Sequence, residues 1–312
     1  MTLYATFLKR LTLLAVALVA LPACVFATND GERFNSPQKA IDALSAAAKA
    51  GDTNELHRIF GASAHDLISP DLVQATEERA LFLRRVAEKV EISSDNDSRK
   101  TLQIGADAWP FPIPLVKTNN AWIFDVDTGK EEVLNRRIGR NEISAIHVCR
   151  AYVDAQREYA SDDRDGDGVL EYAQRLRSDQ GAHNGLYWPA RDPDEQSPFG
   201  PLIGQARFEG YRRENKALAD ASTPFHGYYF KILTRQGKHA PGGKYNYIIN
   251  GHMIAGFALV AWPAEWGNSG IMTFVVNQQG KVYQKNLGPK TESIANSLSA
   301  FDPDNTWSEA KD

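Results

Sequence analysis

Hydrophobic residues recur at three- and four-residue intervals in the first third of the chain and at two-residue intervals in the last third. Ser36-Pro37 opens the first helical stretch: serine caps it, and proline suits a first turn that needs no N–H. Ile41, Leu44 and Ala46–Ala48 form its apolar face, and Gly51-Asp52 ends it. Leu56, Ile59 and Phe60 mark a short second helix stopped by Gly61. Asp71 to Val90 places Leu72, Ala75, Arg79, Leu83 and Val86 near helical spacing, with charged residues on the other side, and predicts a third. The period then changes. Thr101–Ile104 alternates, Phe111-Pro-Ile-Pro-Leu-Val-Lys117 reads as a proline-broken edge strand, and Ala121–Asp125 returns after a tight turn at Asn119-Asn120.

Further on, Glu131–Arg137 predicts a helical link, and Gly139 a break before a helix over Asn141–Tyr159. An acidic loop, Asp163-Arg-Asp-Gly-Asp-Gly168, follows and closes with Val169–Gln174. After a long irregular reach, strands are expected at His226–Leu233, Phe257–Trp262, Met272–Val276 and Lys281–Lys285, with a hairpin turn at Asn277–Gly280. The polar tail after Thr306 is expected to fray. The fold class is therefore α+β in two parts. Residues 34–139 put helices on a curved antiparallel sheet carrying Trp122 and Phe124, which resembles the cone of the nuclear-transport-factor-2 (NTF2) type. Residues 140–306 join a helix, the acidic loop and an antiparallel sheet, which resembles the globular part of a pilin or pseudopilin. The apolar assembly helix of a pilin is missing, because Asn141–Tyr159 is too polar, so filament assembly does not follow. Residues 307–312 form the polar tail.

At 312 residues, two domains are a fair expectation, and a composition 43% hydrophobic and 24% charged excludes wholesale disorder. The N-terminus carries Lys9-Arg10, an uncharged apolar run from Leu11 to Ala23, and small residues at Val25-Phe-Ala27. This pattern predicts a signal peptide over residues 1–27 and a short leader over 28–33, hence a periplasmic or secreted bacterial protein with no transmembrane span in the mature chain. Leu21-Pro-Ala-Cys24 offers a rival, a lipoprotein anchored through Cys24, although Pro22 is a poor lipobox residue. Loss of residues 1–27 removes two cations and no acid, taking the net charge from −4 to −6. Such a surface gives no electrostatic reason to bind nucleic acid. Cys149 is then the one remaining cysteine, expected in the core on a helical stripe with Ile146 and Val153.

The acidic loop carries the best candidate chemistry. In an EF-hand-like calcium loop, oxygens recur at alternate positions and glycine takes the sixth. Asp163, Asp165 and Asp167 fit positions one, three and five, and Gly168 the sixth; Val169 would offer its carbonyl and Glu171 would sit ninth. Leu170 matches the apolar eighth position, but Gln174 replaces the closing acid at the twelfth. The alternative is a turn in which the aspartates bond backbone amides. Tyr187, Trp188 and Trp266 are candidate binding aromatics, with Trp266 expected to be the exposed one. Arg136, Arg137 and Arg140 are expected to pair with Glu131, Glu132 and Glu142 across helix turns. The seven histidines lack zinc-ligand spacing, with His252 reading as a turn residue beside Gly251, and neither a nucleophile elbow nor a phosphate loop occurs.

Long motifs also carry a family resemblance. They are Trp109–Lys117, Arg136–Glu142, Ala155–Tyr159, Asp163–Gln174, Gly185–Pro189, Gly256–Pro263 and Thr273–Asn277. Together they resemble the bacterial secreted family catalogued as domain of unknown function 2950, over roughly Phe34–Leu287. The resemblance implies an exported envelope protein and brings no reaction and no catalytic residue. The function expected is a non-catalytic scaffold or binding module for another secreted protein. The alternatives are an enzyme acting on an envelope polymer through carboxylates at the domain junction, and small-ligand binding in the N-terminal cone.

Overall fold

The computed structural model describes residues 31–189, 196–203, 211 and 223–311, the side chains of residues 94 and 95 excepted. The expected signal peptide, with Cys24, and the first half of the short leader lie outside the described residues.

Helix α1 (Pro37–Ala50) begins where Ser36 Oγ accepts the Lys39 N–H and ends at Gly51 in the left-handed region. Helix α2 (Thr53–Phe60) is capped by Asp52, and a 3-10 turn (Ala62–Leu67) leads on from it. Helix α3 (Leu72–Glu88) is capped by Asp71. Four strands then form an antiparallel meander in sequence order: β1 (Val90–Asp95), β2 (Arg99–Ile104), β3 (Trp109–Thr118) and β4 (Ala121–Phe124). Asn119 and Asn120 both have positive φ, as a tight hairpin with right-handed strand twist requires. Leu44, Phe60, Leu102, Leu115, Trp122 and Phe124 lie in the core between these helices and the sheet.

Helix α4 (Val126–Tyr159) is 34 residues long and runs unbroken through Gly139. The expected break does not occur. A mid-helix glycine costs only about 1 kcal/mol, and Arg137 and Asn141 flank it with buried tertiary bonds that outweigh this. The N-terminal part of α4 packs on β3, where Gly129 is required: a Cβ there would stand 2.7 Å from Ile113 Cγ1. The C-terminal part buries Ile146, Cys149, Tyr152 and Val153 in a second core.

A five-stranded antiparallel sheet covers that core. Its order is Ser308–Glu309, Tyr283–Asn286, Met272–Asn277, Ala258–Pro263 and Tyr228–Leu233. Every residue of Ala258–Pro263 is buried, because α4 lies on one face and the helix Thr291–Ser297 on the other. A strand covered on both sides reads as a continuous apolar run rather than an alternation. The tail does not fray. Glu309 pairs opposite Tyr283, Lys281 binds Glu309 at 2.8 Å, and the Ala310 N–H donates to Val282 O at 3.0 Å.

The two cores meet through polar clamps. Asp71 Oδ2 accepts the Tyr211 hydroxyl (2.7 Å) and the Gly227 N–H (3.2 Å). Asn141 accepts from Gln74 Nε2 (2.6 Å) and donates to Ser269 O (2.9 Å). Glu142 Oε1 accepts the N–H groups of Ile271 and Met272, each at 2.9 Å. Among the described residues no helix is long and apolar enough to cross a membrane.

Candidate functional site

Two places in this frame gather side chains that the core does not consume. The first is the acidic loop beyond the C-terminus of α4. Asp163 organises it: Oδ1 accepts the N–H of Gly166 (2.8 Å) and of Asp167 (3.1 Å), and Oδ2 that of Gly168 (2.9 Å). Those bonds hold its carboxyl below the ordinary aspartate range, the Gly168 amide contributing most. Gly166 and Gly168 both take positive φ, which the turn needs. Asp167 Oδ1 accepts the Val169 N–H at 2.9 Å.

The ligand atoms of Asp163, Asp165 and Asp167 lie within 4.8 Å of one another, and so do those of Asp167, Glu171 and His252. Either cluster could hold a metal ion. His252 is the residue that sequence reasoning missed. It opens the return strand of a hairpin, pairing with Ile249 across an Asn250-Gly251 turn, and so is not itself a turn residue. Its Nδ1 stands 3.2 Å from Asp167 Oδ2 and 3.6 Å from Glu171 Oε1. Glu171 is 8% exposed, and its other oxygen accepts the Met253 N–H at 2.8 Å. The Asn-Gly pair was a readable turn signal, but nothing in the sequence links that hairpin to a carboxylate some eighty positions earlier.

Two features depart from an EF-hand. Leu170, the apolar residue at the eighth position, is 60% exposed, whereas an EF-hand buries its counterpart. Gln174, at the twelfth, donates its amide to Gly251 O at 2.6 Å instead of facing the loop.

The candidate aromatics do not assemble into a surface. Tyr187 and Trp188 are buried in the second core, and Trp188 stacks on His183 at 4.4 Å between ring centroids. Trp266 is half-buried and donates Nε1–H to Asn286 Oδ1 at 3.0 Å. Of the three arginines, Arg136 pairs with Glu132 at 2.7 Å as expected. Arg140 reaches across to Glu78 on α3 at 2.5 Å. Arg137 is buried; it donates to Leu67 O and to Asn268 Oδ1 (2.7 Å), and stands 3.5 Å from Glu78. Burial pulls its guanidinium down from the ordinary arginine range, with Glu78 opposing.

The second place is an open cleft of about 620 Å³ in the N-terminal part. Its walls are α2, the 3-10 turn, α3, β3 and the first half of α4. Phe60, Phe82 and Phe111 form the floor, with Phe82 and Phe111 stacked at 5.6 Å. The guanidinium groups of Arg85 and Arg136 lie over the Trp109 ring, 5.1 and 5.0 Å from its centre. The cleft exists because α3 is poorly covered. Of its 17 residues only Gln74 and Val86 are buried, while Leu72 and Leu81 stay exposed.

A sequence profile of a family described as a protein of unknown function (DUF2950) matches residues 31–310. The chain belongs to that family. No curated protein and no solved structure matches it. The matched range spans both cores and both candidate places.

Proposed function

We propose that this member of the family is an exported, non-catalytic binding module of the bacterial envelope, and that the cleft is its binding face. One observation carries the reading: an open apolar cavity of about 620 Å³ whose α3 wall is left largely uncovered among the described residues. That volume falls in the range of about 300–1,000 Å³ typical of small-molecule sites. The N-terminal part is read as an NTF2-like cone with its mouth at this cleft, and the second part as a pilin-like sheet carried on the same helix. The cleft favours a small ligand over the expected protein partner, since its apolar surface is concave and lined mostly by helices.

The enzyme alternative is less well supported. The carboxylates where the two cores meet are occupied as acceptors: Asp71 by a hydroxyl and backbone amides, Glu142 by two backbone amides, and Glu78 by two arginines. A general acid needs a carboxyl free to hold and release a proton near neutral pH, and these three are spent on bonds where the two cores meet.

The reading is tested by titrating the protein with Nile red, an uncharged apolar dye, beside a Leu81→Glu variant. Saturable fluorescence gain in the parent and its loss in the variant are expected. Equal, non-saturable uptake by both would sink it.

A second reading has its own observation. Asp163 wraps the 163–168 backbone so that three aspartates converge, and this supports calcium as the ion the loop accepts, with Asp163, Asp165 and Asp167 as ligands.

A further inference from the structure

The charges around the cleft are unequal. Five arginines line it (Arg79, Arg85, Arg136, Arg137 and Arg140) against one acid, Glu78. Arg85 has Asp107 as a partner outside the cleft at 2.6 Å, and Arg136 has Glu132. Arg137 and Arg140 share Glu78. The rim and its partners therefore hold two more positive charges than negative. Arg79 is exposed and makes no ion pair or hydrogen bond among the described residues. Deeper in the wall, Arg137 is 1% exposed and its Nε finds no acceptor among the described residues. Positive charge is thus unpaired at the mouth, where Arg79 stands, and an unmet N–H donor lies in the inner wall, around a floor of phenylalanine rings. The matching ligand has an apolar body and one anionic end.

A peptide is a poorer match. An added strand needs a free run of backbone donors and acceptors. The cleft-facing segment of β3 carries Pro110 and Pro112, with Pro114 just beyond, which removes every second N–H. Its Pro110 carbonyl is already taken by Arg136 Nη1 at 2.8 Å. The other walls are mainly helical and bond their backbone internally. Apart from the charged rim, polar side chains are few, and Ser69 is committed to Gln74 at 2.7 Å.

Resting on the reading of the cleft as a binding face, we infer that its ligand is a single-chain anionic amphiphile, a free long-chain fatty acid. The acyl chain lies along Phe60, Phe82 and Phe111, and the carboxylate meets the exposed Arg79 guanidinium.

The test is displacement of bound Nile red from the full chain by palmitate, below its micelle concentration, with methyl palmitate and shorter fatty acids as comparators. Palmitate should displace the dye better than its uncharged ester. Each methylene removed should weaken displacement roughly fourfold, as transfer of that much apolar surface requires. Arg79→Gln should weaken palmitate about two- to fivefold, the scale of one exposed ion pair, and leave the ester unchanged. Dye binding with equal displacement by acid and ester, or an Arg79→Gln variant that treats palmitate as the parent does, overturns the anionic ligand and leaves the cleft reading intact. Dye binding with no displacement by either overturns the amphiphile altogether. Absence of dye binding that Leu81→Glu could abolish removes both readings at once.

Discussion

The side-chain amide of Gln156 meets the backbone of Ala173 twice: Nε2 donates to Ala173 O at 2.8 Å, and Oε1 accepts the Ala173 N–H at 2.8 Å. A side chain on the last turns of α4 thereby stands in for a neighbouring strand. It closes the chain that leaves the helix through the acidic loop. Gln156 is fully buried and also donates to Tyr152 Oη at 2.9 Å.

Replacing Gln156 with leucine keeps the apolar volume and strands both backbone groups of Ala173 away from water. An unsatisfied buried group costs about 1–3 kcal/mol, so a loss of roughly 2–4 kcal/mol in urea unfolding is expected. Hydrogen exchange at Ala173 should rise with it. A variant as stable as the parent would show that water replaces the amide.

Arg137 is the corresponding joint at the other end. Its guanidinium serves Leu67 O and Asn268 Oδ1 from two separate segments. Arg137→Ala should cost roughly 2–4 kcal/mol, because two acceptors lose a charged donor. Arg140→Ala, which removes an exposed pair with Glu78, should cost less than about 1 kcal/mol. Paired denaturation curves check the contrast.

Acid should loosen the 163–168 turn. Asp163 titrates below its ordinary range because three amides donate to its carboxylate. A depressed carboxyl stabilises the fold fully above its unfolded pKa and ceases to do so as pH falls through the folded value. Exchange protection at Gly166 and Gly168 is therefore expected to hold at neutral pH and to drop below the usual carboxylate range. Asp163→Asn should be poorly protected at every pH, with no such step.

Calorimetric titration with calcium decides the role of the same turn. Saturable heat lost in Asp165→Ala would make it an ion-binding joint. No heat up to several millimolar calcium would leave it a turn held by Asp163 alone.

Cys149 is fully buried, and desolvation pushes its thiol up to about 12. A thiol reagent at pH 8 should leave the Cys149 peptide unlabelled in native protein and label it fully in denaturant, as read by mass spectrometry.

Much of this architecture was legible in the residues. Ser36-Pro37 and Asp71 mark helix starts, Asn119-Asn120 and Asn277–Gly280 mark turns, and the apolar runs at Phe257–Trp262 and Met272–Val276 mark the central strands. What stayed hidden depended on tertiary partners. Gly139 signals a break locally, yet Arg137 and Asn141 hold the helix through it. The tail is polar, but Glu309 and Ala310 find a strand edge to join. The loop aspartates were readable from their spacing, whereas His252 arrives from a distant hairpin. The cleft has no sequence signature, because an under-covered α3 shows the same periodicity as a buried one.

Since α4 contributes side chains to both hydrophobic interiors, it behaves as a shared axle. At about 1.5 Å per residue it runs roughly 50 Å, with Val133 and Arg136 on the cleft wall near one end and Gln156 at the loop near the other. Scission at Gly139 would leave Val126 with the first interior and Ala145–Tyr159 with the second, and would part them at polar joints, Arg137 from Asn268 and Asn141 from Gln74.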